Sequence, residues 1–345
     1  MLLLYIIPWF FRFIYSYPLK YGGHIRAHRK EAQEMTRDII PDRIKQVDPE
    51  QLRRNLFYLS KAPLPFRKLS YTIPGHATNT LYEADDFIQR NLESWGYTVE
   101  KEGVQVQPFG CDTSKPKALQ YAPPDSDAPW YTAYNLYAKK QGTVYPEEII
   151  LFLSHKDSQS WVDCPGAYDN AVGTVGTMEI ARVLKDYPSQ RSIWFLFCNE
   201  EHVPWTSVTA AQNAKARGDN LVAIFNLDSL GGKSQADIDA GRQTNVTLYT
   251  KPEGERFADL MADVNKTYDI GLIQEKIQRT SPGDDDGSFI NAGYPIAVAN
   301  LGSFPYVDPN YHRETDISEY VDIPNVCMGT QASLAAGLRV DRGEI

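Results

Sequence analysis

Three short segments made almost entirely of apolar residues constrain the fold of this chain more than any other feature. They are IILFLS at 149–154, SIWFLFC at 192–198 and LVAIFNL at 221–227. Short, continuously apolar runs of this kind are typical of strands buried on both faces. Helical patterns separate them, and strands that alternate with helices indicate a mainly parallel sheet. We therefore predict an α/β fold: a three-layer α/β/α sandwich with a mixed, mainly parallel central sheet.

The remaining patterns extend this fold in both directions. Helical spacing marks 50–61, 78–95, 170–186, 206–217, 254–268 and 323–338, and further strands are expected at 98–109, 245–250 and 295–301. Residues 109–145 are rich in Pro, Tyr and Asp and predict a loop with one strand near 131–139. We expect a single catalytic domain over 36–345, preceded by an N-terminal extension over 1–35.

The extension combines apolar and basic residues. Leu2–Tyr17 is apolar, but Pro8 and Arg12 interrupt it, and it is shorter than the roughly 20 residues of a membrane-spanning helix. No basic region precedes it and no A-x-A cleavage site follows it. We therefore favour a cytoplasmic location without membrane insertion. Export or anchoring through residues 1–30 is the alternative, and the sequence does not assign an oligomeric state.

The charge balance and the cysteines exclude other classes of protein. The chain has 44 acidic and 35 basic residues, a formal charge of −9. A general nucleic-acid binder needs a basic surface that replaces phosphate counterions, so no nucleic-acid partner is expected. The four cysteines are far apart and form no C-x-x-C pair, which argues against a zinc ribbon or a dense disulfide scaffold.

Polar residues follow each of the three apolar strands directly. They are His155 and Asp157 after the first, Glu200 and Glu201 after the second, and Asp228 after the third. In open α/β sheets, ligands bind in the crevice beyond the carboxyl ends of the strands. Asp169, at the start of the next helix, and His312, in a late loop, complete the candidate set.

Taken alone, each of these residues has an ordinary structural explanation, such as a helix cap or a solvated surface group. Together they would bury several charges, which is costly unless the charges are paired. Three carboxylates (Asp169, Glu201 and Asp228) and a bridging hydroxide carry a charge of −4, which two divalent cations would balance. Histidine and carboxylate ligands suit zinc, with cobalt or manganese as substitutes.

Asp157 is expected to support His155. Residues two apart in an extended strand point the same way, so the Asp157 carboxylate would lie beside the His155 ring. A carboxylate that accepts the second ring N–H of a ligating histidine is a common arrangement around zinc.

The sequence resembles the zinc aminopeptidase family that includes the bacterial leucyl aminopeptidases and is related to the glutamate carboxypeptidase-like enzymes and animal glutaminyl cyclases. The resemblance is carried, in the family's order over about 147–340, by SHKDS, PGAYDNAVGTVGTMEIARVL, FLFCNEEHVPWTS, FNLDSLG, GSFINAGYPIAVANLG and YHRETDISEYVD. It implies an exopeptidase that removes N-terminal residues from peptides.

The resemblance also implies a role for each residue. His155 and Asp228 would bind one zinc ion, Glu201 and His312 a second, and Asp169 would bridge the two. A water that bridges the metals would be the nucleophile, with Glu200 as general acid/base. Family structures further suggest a cis peptide between Asp169 and Asn170.

Several positions depart from the family pattern and leave alternatives open. His202 stands where relatives often have Gly. We expect the run His202-Val203-Pro204-Trp205 to shape the pocket wall, and we do not expect His202 to bind metal. The run Asp284–Asp286 stands where relatives often carry a Ser-Asp-His motif. This acidic cluster is a candidate partner for a substrate ammonium, and a solvated loop is the alternative. A carboxypeptidase would instead need a cation such as Arg279 or Arg313. Carboxypeptidase, glutaminyl cyclase and a non-catalytic binding module that kept the fold remain alternatives.

Overall fold

Nine of the eleven strands among the described residues, 38–345 of this computed structural model, form one sheet. The strands are β1 (Val99–Pro108), β2 (Gly110–Cys111), β3 (Tyr121–Ala122), β4 (Tyr131–Lys140), β5 (Tyr145–His155), β6 (Arg191–Cys198), β7 (His202–Val203), β8 (Asn220–Leu227), β9 (Thr244–Tyr249), β10 (Ile273–Gln278) and β11 (Ala297–Leu301). Their order is β10-β9-β11-β8-β5-β6-β4-β1-β7, and β2 pairs with β3 apart from the sheet. The central strands β11, β8, β5 and β6 are parallel, and antiparallel pairs flank them.

Helices cover both faces of the sheet. They are α1 (Ile40–Ile44), α2 (Pro49–Ser60), α3 (Thr80–Ser94), α4 (Val172–Leu184), α5 (Thr206–Arg217), α6 (Gln235–Asp239), α7 (Pro252–Thr267), α8 (Asp284–Asn291) and α9 (Ile323–Asp341). Residues 40–345 form one compact unit. The extension predicted over 1–35 lies outside the described residues.

Strand β5 shows why both faces are buried. Leu151 and Leu153 belong to an apolar cluster that includes Ala210 of α5 and Phe289 of α8. Phe152 points to the opposite face, where its ring packs against Gly337 of α9. Successive side chains of a strand alternate between faces, so a continuously apolar strand needs a helix layer on each side. The predicted fold class is confirmed.

Because of the same alternation, the Lys156 side chain points to the opposite side from those of His155 and Asp157. Lys156 is fully buried and its Nζ lies 2.8 Å from Asp85 of α3 and 2.7 Å from the Asn199 side-chain oxygen. His155 and Asp157 face the other way, toward the end of the sheet. The buried ion pair therefore holds the strand end that presents them.

Elements with little apolar pattern were not predicted. Strand β10 has the sequence IQEKIQ at the sheet edge and is mostly exposed, and α8 begins with three aspartates. Segment 109–145 contains the expected strand, β4, and also the β2–β3 pair. Within 38–345, no helix has the length and apolarity that crossing a membrane requires.

Candidate active site

The parallel centre of the sheet brings the sequence-predicted residues to one edge. His155 ends β5, Glu200 and Glu201 follow β6, and Asp228 follows β8. Because β6, β5 and β8 are parallel neighbours, their carboxyl ends lie side by side. Asp169 lies in the turn Ala167–Ala171 that leads into α4.

His155 and His312 lie on opposite sides of Asp169. The Nε2 atom of His155 lies 3.1 Å from Asp169 Oδ1 and 3.6 Å from Asp228 Oδ1. The Nε2 atom of His312 lies 3.0 Å from Asp169 Oδ2 and 3.6 Å from Glu201 Oε1. Each half of the site therefore contains one imidazole, one carboxylate of its own and one oxygen of Asp169, which both halves share.

These distances fit a metal centre. Tetrahedral zinc with ligand bonds of about 2.0–2.1 Å has ligand atoms about 3.3 Å apart, and the four separations span 3.0–3.6 Å. Burial by itself would lower the pKa of His155, but hydrogen bonds to Asp157, Asp169 and Asp228 raise it well above its ordinary value. The cluster thus attracts positive charge, which a metal ion would supply in place of a proton.

Glu200 lies close to the His155 half. Its carboxylate forms a cluster with His155 and Asp228 in which the candidate ligand atoms lie within 4.8 Å of one another. Its Oε2 atom is buried without a hydrogen-bond partner. Burial raises the pKa of Glu200 well above its ordinary value, and the charges of Asp285 and Asp284 raise it further.

Asp157 connects the two strand ends behind the site. It is fully buried and lies 3.3 Å from His155 Nδ1, as the sequence predicts. It also accepts hydrogen bonds from the backbone N–H groups of Glu200 and Glu201, at 3.0 and 2.9 Å. Burial by itself would raise the pKa of Asp157, but hydrogen bonds with His155 and His202 hold it well below its usual range.

Asp169 is positioned by groups that the sequence pattern did not reveal. The buried Asp316 accepts hydrogen bonds from the backbone N–H groups of Tyr168 (2.8 Å) and Asp169 (3.1 Å). The Asp169–Asn170 peptide is cis, as the resemblance implied. The Asn170 side chain donates to Leu227 O at 2.9 Å, which fixes the turn against the end of β8.

Arg67 donates hydrogen bonds to the chain just before the same turn. Its guanidinium is fully buried and donates to the carbonyl oxygens of Leu59, Lys156, Pro165 and Gly166 at 2.6–2.8 Å. It therefore joins the end of α2 to the residue that follows β5 and to the turn before Asp169. Burial lowers the pKa of Arg67 to about 10, against the raising effect of Asp157.

Gln159 was also missed by sequence reasoning, because a lone glutamine carries no metal-ligand signal. It is fully buried, and its Nε2 donates to Asp169 Oδ2 at 2.9 Å and to Glu201 Oε1 at 2.7 Å. These oxygens are the ones that face His312, so Gln159 orients both carboxylates.

An open cleft of about 550 Å³ leads to these residues. Its acidic lining residues are Asp169, Glu200, Glu201, Asp228 and Asp284, and among residues 38–345 no Lys or Arg lines it. Aromatic side chains form much of the wall, among them Phe109, Tyr121, Trp161, Trp205, Tyr306 and Tyr311. The cleft therefore combines an acidic floor with apolar walls.

The structure refines several secondary expectations. Of the acidic cluster Asp284–Asp286, Asp284 lines the cleft, whereas Asp285 is fully buried and accepts from Cys198 Sγ at 3.0 Å. Of the run His202–Trp205, Trp205 lines the cleft, as expected, whereas His202 is fully buried, with Nδ1 2.8 Å from Asp157 Oδ2. Arg279 is paired with Asp284 at 2.7 Å and with Asp286.

Comparison with known sequences identifies the family. The profile of peptidase family M28 matches residues 135–335, a stretch that contains all of the predicted site residues. The chain therefore belongs to peptidase family M28.

Individual relatives are more distant. A probable zinc metalloprotease of Pyrenophora teres f. teres is 28% identical over 222 residues, 54% of this chain and 44% of that protein. A leucine aminopeptidase 1 of Phaeosphaeria nodorum is 27% identical over 195 residues, 53% of this chain and 49% of that protein. The match thus spans less than half the length of each relative.

A solved aminopeptidase from Aneurinibacillus sp. strain AM-1 has the same fold. It superimposes with a TM-score of 0.64 over 86% of this chain and 94% of that chain, at 16% identity. The similarity confirms the α/β architecture.

Proposed function

We propose that this chain is an aminopeptidase that holds two zinc ions at the end of its central sheet. His155 and Asp228 would hold one ion, Glu201 and His312 the other, and Asp169 both. The observation that carries the proposal is the convergence of these five side chains, whose imidazole nitrogens lie 3.0–3.6 Å from the carboxylate oxygens.

Charge supports two ions rather than one. The three proposed carboxylate ligands are buried and contribute a charge of −3. One divalent cation would leave buried negative charge without a counter-charge, which is costly. When bound, a pair of zinc ions lowers the pKa of a water and polarises a substrate carbonyl.

Glu200 is proposed as the general acid/base. Its side chain lines the cleft and carries an oxygen without a hydrogen-bond partner. Its backbone N–H donates to the Asp157 carboxylate at 3.0 Å. Glu200 would take a proton from the attacking water and return it to the leaving amine. A positioned acid/base of this kind contributes about 10²–10⁴-fold to the rate.

The charge of the cleft favours recognition of a free N-terminus. A C-terminal carboxylate would find no Lys or Arg among the described residues that line the cleft, whereas an ammonium would meet its acidic floor. The Arg279 and Arg313 side chains that a carboxypeptidase would need do not line the cleft. The apolar walls suit a substrate with an apolar first side chain.

A paired assay tests this function. The metal-analysed protein should hydrolyse an amino-acid anilide with a free amine and leave its N-acetylated form intact. Equal rates on the two substrates, or cyclisation of a glutaminyl peptide without anilide hydrolysis, would contradict the aminopeptidase assignment.

Variants test the role of Glu200. Glu200→Gln should keep the wild-type zinc content and lose about 10²–10⁴-fold in kcat. The exposed Glu147→Gln is the matched control and should keep both. A Glu200→Gln rate near wild type would remove Glu200 from the acid/base role, and loss of zinc would make it a ligand.

A further inference from the structure

One contact to the proposed metal site comes from a segment that lies before the part of the chain matched by the family profile. The Nδ1 atom of His312 lies 2.8 Å from the carbonyl oxygen of Ala118. Ala118 belongs to residues 110–122, where β2 and β3 pair and a single 3₁₀ turn, Lys117–Leu119, lies between them. We call residues 110–122 the hairpin.

The carbonyl contact fixes the orientation of the imidazole. A carbonyl oxygen only accepts, so Nδ1 must carry the proton, and the Nε2 lone pair is left for the Asp169 and Glu201 side of the ring. Asp157 plays the same part for His155. His312 also has a left-handed φ of 56°, a conformation that persists only where the surroundings hold it.

Further contacts join the hairpin to the loop that carries His312. Lys117 Nζ lies 2.7 Å from Glu314 Oε1. The ring of Tyr121 packs edge-on against the His312 ring, with centroids 5.9 Å apart at 89°. Pro116, Ala118 and Leu119 line the cleft above the site. The hairpin therefore forms part of the cleft wall and also contacts the loop that carries His312.

We propose that the hairpin is a positioning element for His312, so that hairpin order and metal binding at the Glu201–His312 half of the site stabilise each other. The inference rests on the two-metal function proposed above. Coupling of this kind is reciprocal, so loss of the hairpin weakens the metal and loss of the metal loosens the hairpin. Removing a hydrogen-bond partner of a ligating histidine typically costs about 10–100-fold in metal affinity.

A shortened hairpin tests the first half of this coupling. The Asp112 N–H donates to Gln120 O at 2.7 Å, so an Asn-Gly turn can join these two residues in place of 113–119. Zinc affinity is measured on the full-length chain by competition with a chromophoric chelator. Lys45→Ala is the control, because Lys45 is exposed and lies outside the hairpin and outside the site.

The expected result is two zinc equivalents in wild type and in Lys45→Ala. In the shortened variant, one equivalent should bind about 10–100-fold more weakly and the other should be unchanged. Unchanged affinity at both sites, or equal weakening of both, overturns the inference and leaves the two-metal function standing. A single equivalent in wild type overturns both.

Hydrogen exchange of the wild-type chain tests the reverse effect, that of metal binding on the order of the hairpin. It needs no variant that might misfold. Peptides that cover 110–122 should exchange more slowly when one of the two zinc equivalents binds, and not when the other does. Exchange in the hairpin that is independent of zinc occupancy would overturn the inference.

Discussion

Substituting Asp157 by Asn replaces one carboxylate oxygen by an NH₂ group. Asp157 is the residue that connects the ends of β5 and β6 behind the site. Asp157 is fully buried, and its oxygens pair with the His155 ring (3.3 Å), the His202 ring (2.8 Å) and the backbone N–H groups of Glu200 (3.0 Å) and Glu201 (2.9 Å). Asn has one acceptor oxygen where Asp has two. A histidine ring can change its tautomer and accept, but a backbone N–H cannot.

The magnitude follows from these contacts. One backbone N–H, that of Glu200 or Glu201, would lose its acceptor, and a buried unsatisfied donor costs about 1–3 kcal/mol. The bonds that remain would lose the charge of the acceptor, which makes each of them roughly half as strong and adds about 1 kcal/mol. Asp157→Asn should therefore lower the free energy of unfolding by about 2–4 kcal/mol, and zinc affinity about 10–100-fold.

Urea unfolding of the chelator-treated chain measures the first quantity without the contribution of bound metal. Zinc competition with a chelator measures the second. The control is Asp86→Asn, since Asp86 is exposed and lies 3.7 Å from Lys101, and its unfolding free energy should stay within about 0.5 kcal/mol of wild type. If Asp157→Asn were equally neutral in both assays, the reasoning about this hydrogen-bond network would be refuted.

Two further substitutions test the packing that supports the site. A Cβ atom at Gly337 would lie 2.3 Å from the Phe152 ring, so Gly337→Ala should lower the unfolding free energy by about 1–3 kcal/mol, and wild-type stability in urea would show that Phe152 moves aside freely. Arg67→Lys keeps the charge but cannot reach all four carbonyl oxygens that Arg67 contacts; it should cost at least about 2 kcal/mol, and a thermal midpoint equal to wild type would contradict this.

Patterns of apolar residues were sufficient to predict the centre of the fold. The strands that became β5, β6 and β8 are apolar on both faces, and such a run has few places to lie other than the middle of a sheet covered by helices. Edge strand β10 carries no comparable pattern because most of it is exposed, and the short helix α8 carries none because most of its buried residues are polar or Gly. Their formation depends on neighbours that are distant in sequence.

The sequence by itself determined the fold class, the family resemblance and the residues that stand at the strand ends, because strand direction and side-chain alternation are local properties. Tertiary structure alone decided the groups that hold them. Arg67 and the Ala118 carbonyl reach the site from segments outside the motifs that carry the resemblance, and Gln159 and Asp316 lie beside or within those motifs without a role implied by them. It also decided that Asp284, and not Asp285, faces the cleft. Hydrogen bonds and ion pairs depend on positions fixed to a few tenths of an ångström, and only the packed chain sets those positions.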